Sequence, residues 1–342
     1  MSTEMNSLLG RLSSGEDLSR DEMTDAISQV MTGSCNEQQI ALLLTALRAK
    51  GETVEEVAGA AAAMRMHMTP IRSRHHELLD TCGTGGGGSS TFNISTSAAL
   101  VIAAVGVPLA KHGNRSVTSK SGSADVLAAL GVNIEASVAQ VERCLDELGI
   151  CFCFAPLMHP AMKHVAAVRK QLGVRTIFNL LGPLANPAGA RFQLLGVGLP
   201  ELRPLIASSL RLLGTERALI VSGRDGMGEV SLADVTDVTQ VEGNRETQFT
   251  WSPEDFGLER SALDSICVAN PEESATMVRS VLAGEPGPAR DIVALNAAAG
   301  LIAAGRSASP KEAAQMAAAA IDTGAVSELL ERLAQLSHEP IS

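Results

Sequence analysis

Between an apolar run ending at Thr81 and a helical period beginning near Ser95 stands GTGGGG, residues 83–88, and no other stretch restricts the fold as much. So many glycines favour neither helix nor strand, so the run must be a loop, and a loop from strand to helix belongs to a sheet covered by helices. Such a loop lets backbone N–H groups reach a ligand unobstructed, and the helix behind it offers an anion the positive end of its dipole. By spacing the run also fits G-x-G-x-x-G, through Gly83, Gly85 and Gly88. A dinucleotide fold then requires an acidic residue about 20 residues on, at the end of the second strand, to hold ribose hydroxyls. Here that strand ends in Lys111 and His112. A cation in place of the carboxylate points away from a dinucleotide and towards more phosphate. A Walker A loop is excluded too, since no glycine precedes a lysine in a G-K-[ST] arrangement.

The second strong segment is KHGNRSVTSKSGSAD, residues 111–125. It sets Lys111, Arg115 and Lys120 among Ser116, Thr118, Ser119, Ser121 and Ser123, whose hydroxyls can donate to phosphate oxygens. Such a loop suits a diphosphate or a phosphosugar. Net charge agrees once it is divided along the chain. The total is -11, but residues 1–70, 71–200 and 201–342 carry -5, +4 and -10, and 15 of the 31 glycines fall in the basic middle. The acidic total disfavours nucleic acid and anionic membranes as partners, while the basic centre implies a small anionic ligand.

With 45% hydrophobic and 19% charged residues, the 342-residue chain is a packed protein rather than a disordered one. The first 70 residues read as wholly helical. Ser19 with Glu22, and Thr53 with Glu56, fit the capping pattern S/T-x-x-E, Asn36 can cap another helix, and Gly33, Gly51 and Pro70 supply the stops. From Leu78 short apolar runs alternate with helical periods. Strands are expected at Leu78–Thr81, Val107–Lys111, Ile150–Phe154, Phe192–Val197 and Ala218–Ser222, with helices near 96–104, 123–130, 138–148 and 200–213. The span 159–189 interrupts this rhythm and is expected to return to the N-terminal bundle, and the tail from Pro271 to Leu336 is alanine-rich helix. The fold class is α/β, with a small all-helical domain (1–72 with 159–190) and a large α/β domain (73–158 with 191–342) around a mostly parallel sheet covered by helices. Cys35, Cys82, Cys144, Cys151, Cys153 and Cys267 show no C-x-x-C spacing and read as buried reduced thiols, which fits a cytoplasmic protein. No targeting segment and no membrane span is expected, the longest apolar stretch, around 98–110, being too short.

GTGGGGSSTFNIST, KHGNRSVTSKSGSAD, FAPLMHPAMKHVAAVRKQLGVRTIFNLLGPLANP and SRDGMGEVSL, in this order and at these spacings, resemble the anthranilate phosphoribosyltransferase family over nearly the whole chain. The resemblance implies a homodimeric enzyme of tryptophan biosynthesis, paired through its helical domain. It would join anthranilate to 5-phosphoribosyl 1-diphosphate with Mg2+ and release pyrophosphate from a site at the hinge between the domains. By matching position, Gly83, Gly86, Gly87, Thr91, Asn93, Ile94, Ser95, Thr96, Lys111, Asn114, Arg115, Ser119 and Ser123 correspond to the phosphoribosyl diphosphate site. Gly83, Asn114 and Arg169 correspond to anthranilate contacts, with His112 and Pro183 lining the anthranilate channel. Ser95 and Glu229 fall on magnesium positions, and Lys111, His112 and Arg169 are the residues expected to carry catalysis.

The chemistry of these residue types agrees. Displacing pyrophosphate from an anomeric carbon needs the leaving charge neutralised and the nucleophile held close. An aromatic amine is already a free nucleophile, whereas the carboxylate beside it needs a cation such as Arg169. Phe152, Phe154 and Phe178 are core residues by default, though each could flank an aromatic ring. Two positions depart from the family pattern. Its glycine loop usually reads GTGGDG where Gly87 stands here, and its acidic pair usually reads DE where Gly228 precedes Glu229. An active enzyme with altered magnesium dependence is expected, with Asp225 a possible substitute carboxylate. The alternatives are a related phosphoribosyltransferase or pyrimidine nucleoside phosphorylase, and a non-catalytic nucleic-acid-binding paralogue.

Overall fold

The computed structural model describes residues 3–85, 90–116 and 120–341, residues 3 and 4 by backbone alone. The chain opens with helices α1 (Thr3–Ser13), α2 (Arg20–Met31), α3 (Glu37–Lys50) and α4 (Val54–Met66). Both expected capping boxes form, at Ser19–Glu22 and Thr53–Glu56, and Asn36 makes a third with Gln39. Glu56 does more than cap. Its buried carboxylate also accepts the Leu18 N–H at 3.0 Å and pairs with the nearly buried Lys50 at 3.0 Å, tying the entry of α2 to α3 and α4. Removing one partner of a buried pair strands the other. Glu56→Ala is therefore expected to cost about 3 kcal/mol of stability in urea unfolding, and a loss under about 1 kcal/mol would deny the carboxylate this role.

The α/β part runs β1 (Leu79–Gly83), α5 (Ile94–Ala104), β2 (Leu109–Gly113), α6 (Ser123–Ala129), α7 (Val138–Leu148) and β3 (Ile150–Phe154). Short helices α8 (Ala155–Met158), α9 (Lys163–Leu172) and α10 (Phe178–Leu181) follow, and α9 and α10 pack on α2, α3 and α4. The chain then returns through β4 (Phe192–Gly196), α11 (Arg203–Leu212), β5 (Arg217–Gly223), β6 (Thr236–Glu242) and β7 (Arg245–Trp251). It ends in α12 (Pro271–Leu282), α13 (Pro288–Ala303), α14 (Pro310–Asp322) and α15 (Ala325–His338). Among the described residues no helix is long and apolar enough to cross a membrane.

The sheet order is β3-β2-β1-β4-β5-β6-β7, parallel as far as β5 and antiparallel beyond. Alternate residues of a strand face opposite sides. Leu219 and Val221 enter a core with α5, α13 and α15, while Ala218 and Ile220 face α11 and the N-terminal helices. The five expected strands lie where the apolar runs are, within a few residues. The antiparallel pair β6 and β7 was not expected; most of β7, RETQFTW, is exposed and polar, so pairing rather than burial holds it. Cys144, Cys151 and Cys153 are buried, but Cys267 is exposed and Cys35 and Cys82 only partly covered, which corrects the reading of all six as interior thiols.

The strand order decides where a ligand can bind. The crossovers after β1 lead to β2 and β3 on one side, and the chain then comes back to place β4 on the other. In an open parallel sheet that switch point leaves a crevice at the carboxyl ends of the strands. Here it falls between β1 and β4, where Gly83 pairs with Gly196.

Candidate active site

The crevice holds a cavity of about 40 Å³ lined by Thr81, Gly83, Ser95, Gly196, Glu229 and Asn296, among others. Its floor depends on an absent side chain: a Cβ on Gly196 would lie 1.6 Å from the Gly228 carbonyl oxygen, so only glycine lets the Gly228–Glu229 arm close over β4. Asn296 of α13 fixes that arm from behind, its amide accepting the Val230 N–H and donating to the Val230 carbonyl, each at 2.9 Å. At the mouth, Gly85 turns the chain with φ +66°, the left-handed region glycine favours.

Lys111 is buried beside this cavity. Its Nζ donates to the Thr81 carbonyl at 2.6 Å and to Thr81 Oγ1 at 3.3 Å, and lies 3.5 Å from Ser95 Oγ. Burial lowers its pKa, while the nearby carboxylates of Asp80 and Glu229 support the charge. Asp80, wholly buried on β1, accepts the His112 N–H at 3.1 Å and so fixes the end of β2. Its own pKa is raised by burial, against the pull of Lys111. The Glu229 carboxyl is pushed up to about 7, first by burial and then by Asp225, with Lys111 opposing.

His112 turns towards the other side, where Nδ1 lies 3.0 Å from the Gly182 carbonyl and donates to it. Its ring is 5.0 Å from that of His159. Burial holds His112 down to about 3 and His159 down to about 4, so both are neutral, and the Nε2 of each is a buried atom without a hydrogen-bond partner among the described residues. An imidazole neutral when folded but protonated when unfolded loses stability in acid. The loss is absent above 6.5, the ordinary histidine value, and grows as pH falls towards those depressed values. His159→Gln is expected to flatten the dependence of unfolding free energy on pH by about 1.4 kcal/mol per pH unit between about pH 6 and about pH 4.5, and an unchanged slope would contradict a neutral His159.

The crossover beside His112 is pinned to the sheet and to α4 by further side chains. Gln193 Nε2 donates to the Pro183 carbonyl at 2.7 Å, Arg65 Nε to that of Leu184 at 2.7 Å, and Asn186 Nδ2 to that of Ala110 at 2.8 Å. Arg169 is half-buried with its guanidinium 5.7 Å from the centre of the Phe178 ring, and it forms no ion pair among the described residues. Phe152, Phe154 and Phe178 are buried in the cores.

The remaining expected residues divide. Ser123 Oγ donates to the Asn114 carbonyl at 3.4 Å, and Asn114 is exposed at the crevice rim. Arg115 is exposed and paired with Asp125 at 3.2 Å. Asn93 directs its side chain to Ser121 and Ser274, leaving α5 without a side-chain cap. Ile94 is buried in the core, so only its backbone is available to a ligand, and Thr91 is paired with Cys267. Thr96 is buried and lines a small void behind Lys111 instead of the main cavity. Gly86, Gly87 and Ser119 lie outside the described residues. Asp225 accepts the Met227 N–H at 3.1 Å and the Ser231 hydroxyl at 2.5 Å. Sequence reasoning missed Asp80, Thr81, Gln193, Gly196 and Asn296. Of these only Asn296 left a signal, as a lone polar residue in the apolar run IVALNAAAGLIA.

Residues 6–68 match the model of a glycosyl transferase family helical bundle domain, and residues 75–327 that of a glycosyl transferase family a/b domain. The anthranilate phosphoribosyltransferase of Rhodopirellula baltica is 50% identical over 94% of this chain and 94% of its own length. The crystal structure of anthranilate phosphoribosyltransferase from Thermus thermophilus superposes with a TM-score of 0.91 at 43% identity, covering 97% of this chain and 99% of that one. The enzyme from Saccharomyces cerevisiae in complex with PRPP and Mg gives 0.90 at 29% identity, covering 98% of each chain. A helical bundle joined to a mostly parallel sheet is thus shared with relatives along nearly their whole length. The chain belongs to the anthranilate phosphoribosyltransferase family of glycosyl transferases.

Proposed function

We propose that the crevice between β1 and β4 is where this chain carries out the activity of its family in tryptophan biosynthesis. The reaction transfers the phosphoribosyl group of 5-phosphoribosyl 1-diphosphate to the amine of anthranilate. The nitrogen lone pair forms a bond to the anomeric carbon, the bond from that carbon to the diphosphate oxygen breaks, pyrophosphate leaves with the electron pair, and the nitrogen sheds a proton. The observation that carries this reading is Lys111, a buried ammonium at the end of β2 drawn to Thr81 and Ser95 beside the cavity. It faces the position where negative charge grows as the diphosphate departs.

On the acceptor side, Arg169 is the cation for the anthranilate carboxylate, since no acidic residue among those described pairs with it. His112, neutral and already donating to Gly182, can only accept there through Nε2, so it orients the acceptor rather than neutralising it. Pro183, whose carbonyl is held by Gln193, completes the proposed acceptor site. Arg115 can release Asp125 for a phosphate, because an exposed ion pair contributes little.

Magnesium fits this cavity. Ser95 and Glu229 present a hydroxyl and a carboxylate to one space, and among the described residues no cluster of three or more acidic, histidine or cysteine side chains forms a closed cage. A small hard cation that keeps water and substrate phosphate as ligands needs no more. Ser95 and Glu229 would hold it, and when bound it supplies neutralisation of the diphosphate. Gly228→Asp would set a second carboxylate beside Glu229, with its Cβ 3.2 Å from the Gly198 nitrogen. The magnesium concentration for half-maximal rate is then expected to fall about tenfold, and superimposable titrations would deny position 228 any part in the metal requirement.

The division into 1–72 with 159–190 and 73–158 with 191–342 is supported by the packing of α9 and α10 on the N-terminal helices. Pairing of two copies through this bundle is part of the same reading, and six free thiols suit a reducing cytosol. The reading is tested by pyrophosphate release. Release that requires both anthranilate and the phosphoribosyl diphosphate is expected; phosphorolysis of a pyrimidine nucleoside instead would favour the nucleoside phosphorylase alternative.

A further inference from the structure

The exit of the glycine loop is tied to a distant part of the chain. Phe92 N–H donates to the Ile266 carbonyl at 3.0 Å, Val268 N–H to the Ser90 carbonyl at 2.8 Å, and Thr91 bridges to Cys267. The next residue, Asn93, is held twice by Ser274 of α12. The Ser274 hydroxyl accepts the Asn93 N–H at 3.1 Å and donates to Asn93 Oδ1 at 2.8 Å. The same Oδ1 accepts the Ser121 hydroxyl at 2.6 Å, and Asn93 Nδ2 donates to the Ser121 carbonyl at 3.1 Å. The Asn93 amide is thus engaged through both its oxygen and its nitrogen. It joins the residues just before α5, which carries Ser95, to the stretch just before α6, which carries Ser123.

We propose that Ser274 is a positioning residue for diphosphate binding, which through Asn93 and Ser121 holds the exit of the glycine loop and the end of the basic loop at a fixed separation. It rests on the assignment of the crevice to 5-phosphoribosyl 1-diphosphate. Ser274 is fully buried and is not among the described residues that line the cavity, so it acts through Asn93. The arrangement gives Asn93 a role as the link between the two loops, beside the contact that the family resemblance implies for it. A diphosphate whose ends are held by different loops is bound well only when the loops stand at the right distance, whereas an acceptor held by Arg169 and Pro183 is indifferent to it.

The test compares Ser274→Ala with Ala275→Gly, which weakens the same buried turn of α12 without touching the hydroxyl. Ser274→Ala is expected to raise KM for 5-phosphoribosyl 1-diphosphate about tenfold, with KM for anthranilate and kcat within about twofold of wild type. Ala275→Gly is expected to lower Tm by roughly 3 °C and leave both KM values unchanged. In parallel, the concentration of magnesium pyrophosphate that half-saturates the rise in Tm is expected to increase about tenfold in Ser274→Ala. An unchanged diphosphate KM and pyrophosphate midpoint in Ser274→Ala, equal rises in both KM values, or the same rise in Ala275→Gly would overturn the proposal. If wild type binds pyrophosphate yet shows no turnover, the proposed function fails and the pyrophosphate midpoints still decide the role of Ser274. If wild type does not bind pyrophosphate, both fall.

Discussion

Lys111→Met is expected to turn over about a thousandfold more slowly than wild type while remaining folded. Methionine keeps the length of the stem in a position that is only 3% exposed and removes nothing but the charged head. Some stability should be lost, because the Thr81 carbonyl and the Asp80 carboxyl lose their buried cation, although relief of the ammonium's desolvation offsets part of it and the fold should persist. Turnover should suffer because the departing pyrophosphate then lacks a fixed cation in a space sheltered from water, where such a contact is worth the most. Steady-state kinetics with both substrates saturating, alongside circular dichroism, give the answer. A loss below about tenfold with the fold intact would remove Lys111 from the centre of the mechanism.

The second large effect is expected from a single methyl group. Gly196→Ala should lower kcat about a hundredfold and destabilise the protein by about 2 kcal/mol. The added carbon would stand 1.6 Å from the Gly228 carbonyl oxygen, and the obstacle is backbone rather than a side chain that could swing away. Either β4 bends, opening its pairing with Gly83, or the arm carrying Glu229 lifts off the cavity. Both outcomes spoil the meeting of Ser95 with Glu229, so excess magnesium should restore only part of the rate. Near-normal kcat in Gly196→Ala would mean that the arm has room the structure does not show.

These two residues mark how much was legible in the sequence. Lys111 was visible because it ends an apolar run just before a stretch dense in hydroxyls and cations, a local pattern with a direct chemical meaning. Gly196 was not, because its importance comes from a contact with Gly228 that exists only once β4 lies beside β1. Asp80, Thr81 and Gln193 were hidden for the same reason: each is a polar residue in a strand, and its partner comes from another element. The parallel strands were legible because burial on both faces makes them continuous apolar runs. The antiparallel edge was not, since β6 alternates and β7 faces solvent. Charge counting found the basic middle but could not tell a committed cation from an available one. Only the structure separates Arg115, paired with Asp125, from Arg169, which no carboxylate among the described residues engages.

The central claim is that this crevice brings the amine of anthranilate to the anomeric carbon of 5-phosphoribosyl 1-diphosphate with one protein carboxylate, Glu229, at its magnesium position. The fluorescence of anthranilate, followed with purified protein and the diphosphate across a magnesium titration, measures it most directly. The expected result is consumption of anthranilate that depends on all three components and is abolished, to within about a thousandth of the wild-type rate, in Lys111→Met. Unchanged anthranilate fluorescence at every magnesium concentration would contradict the account.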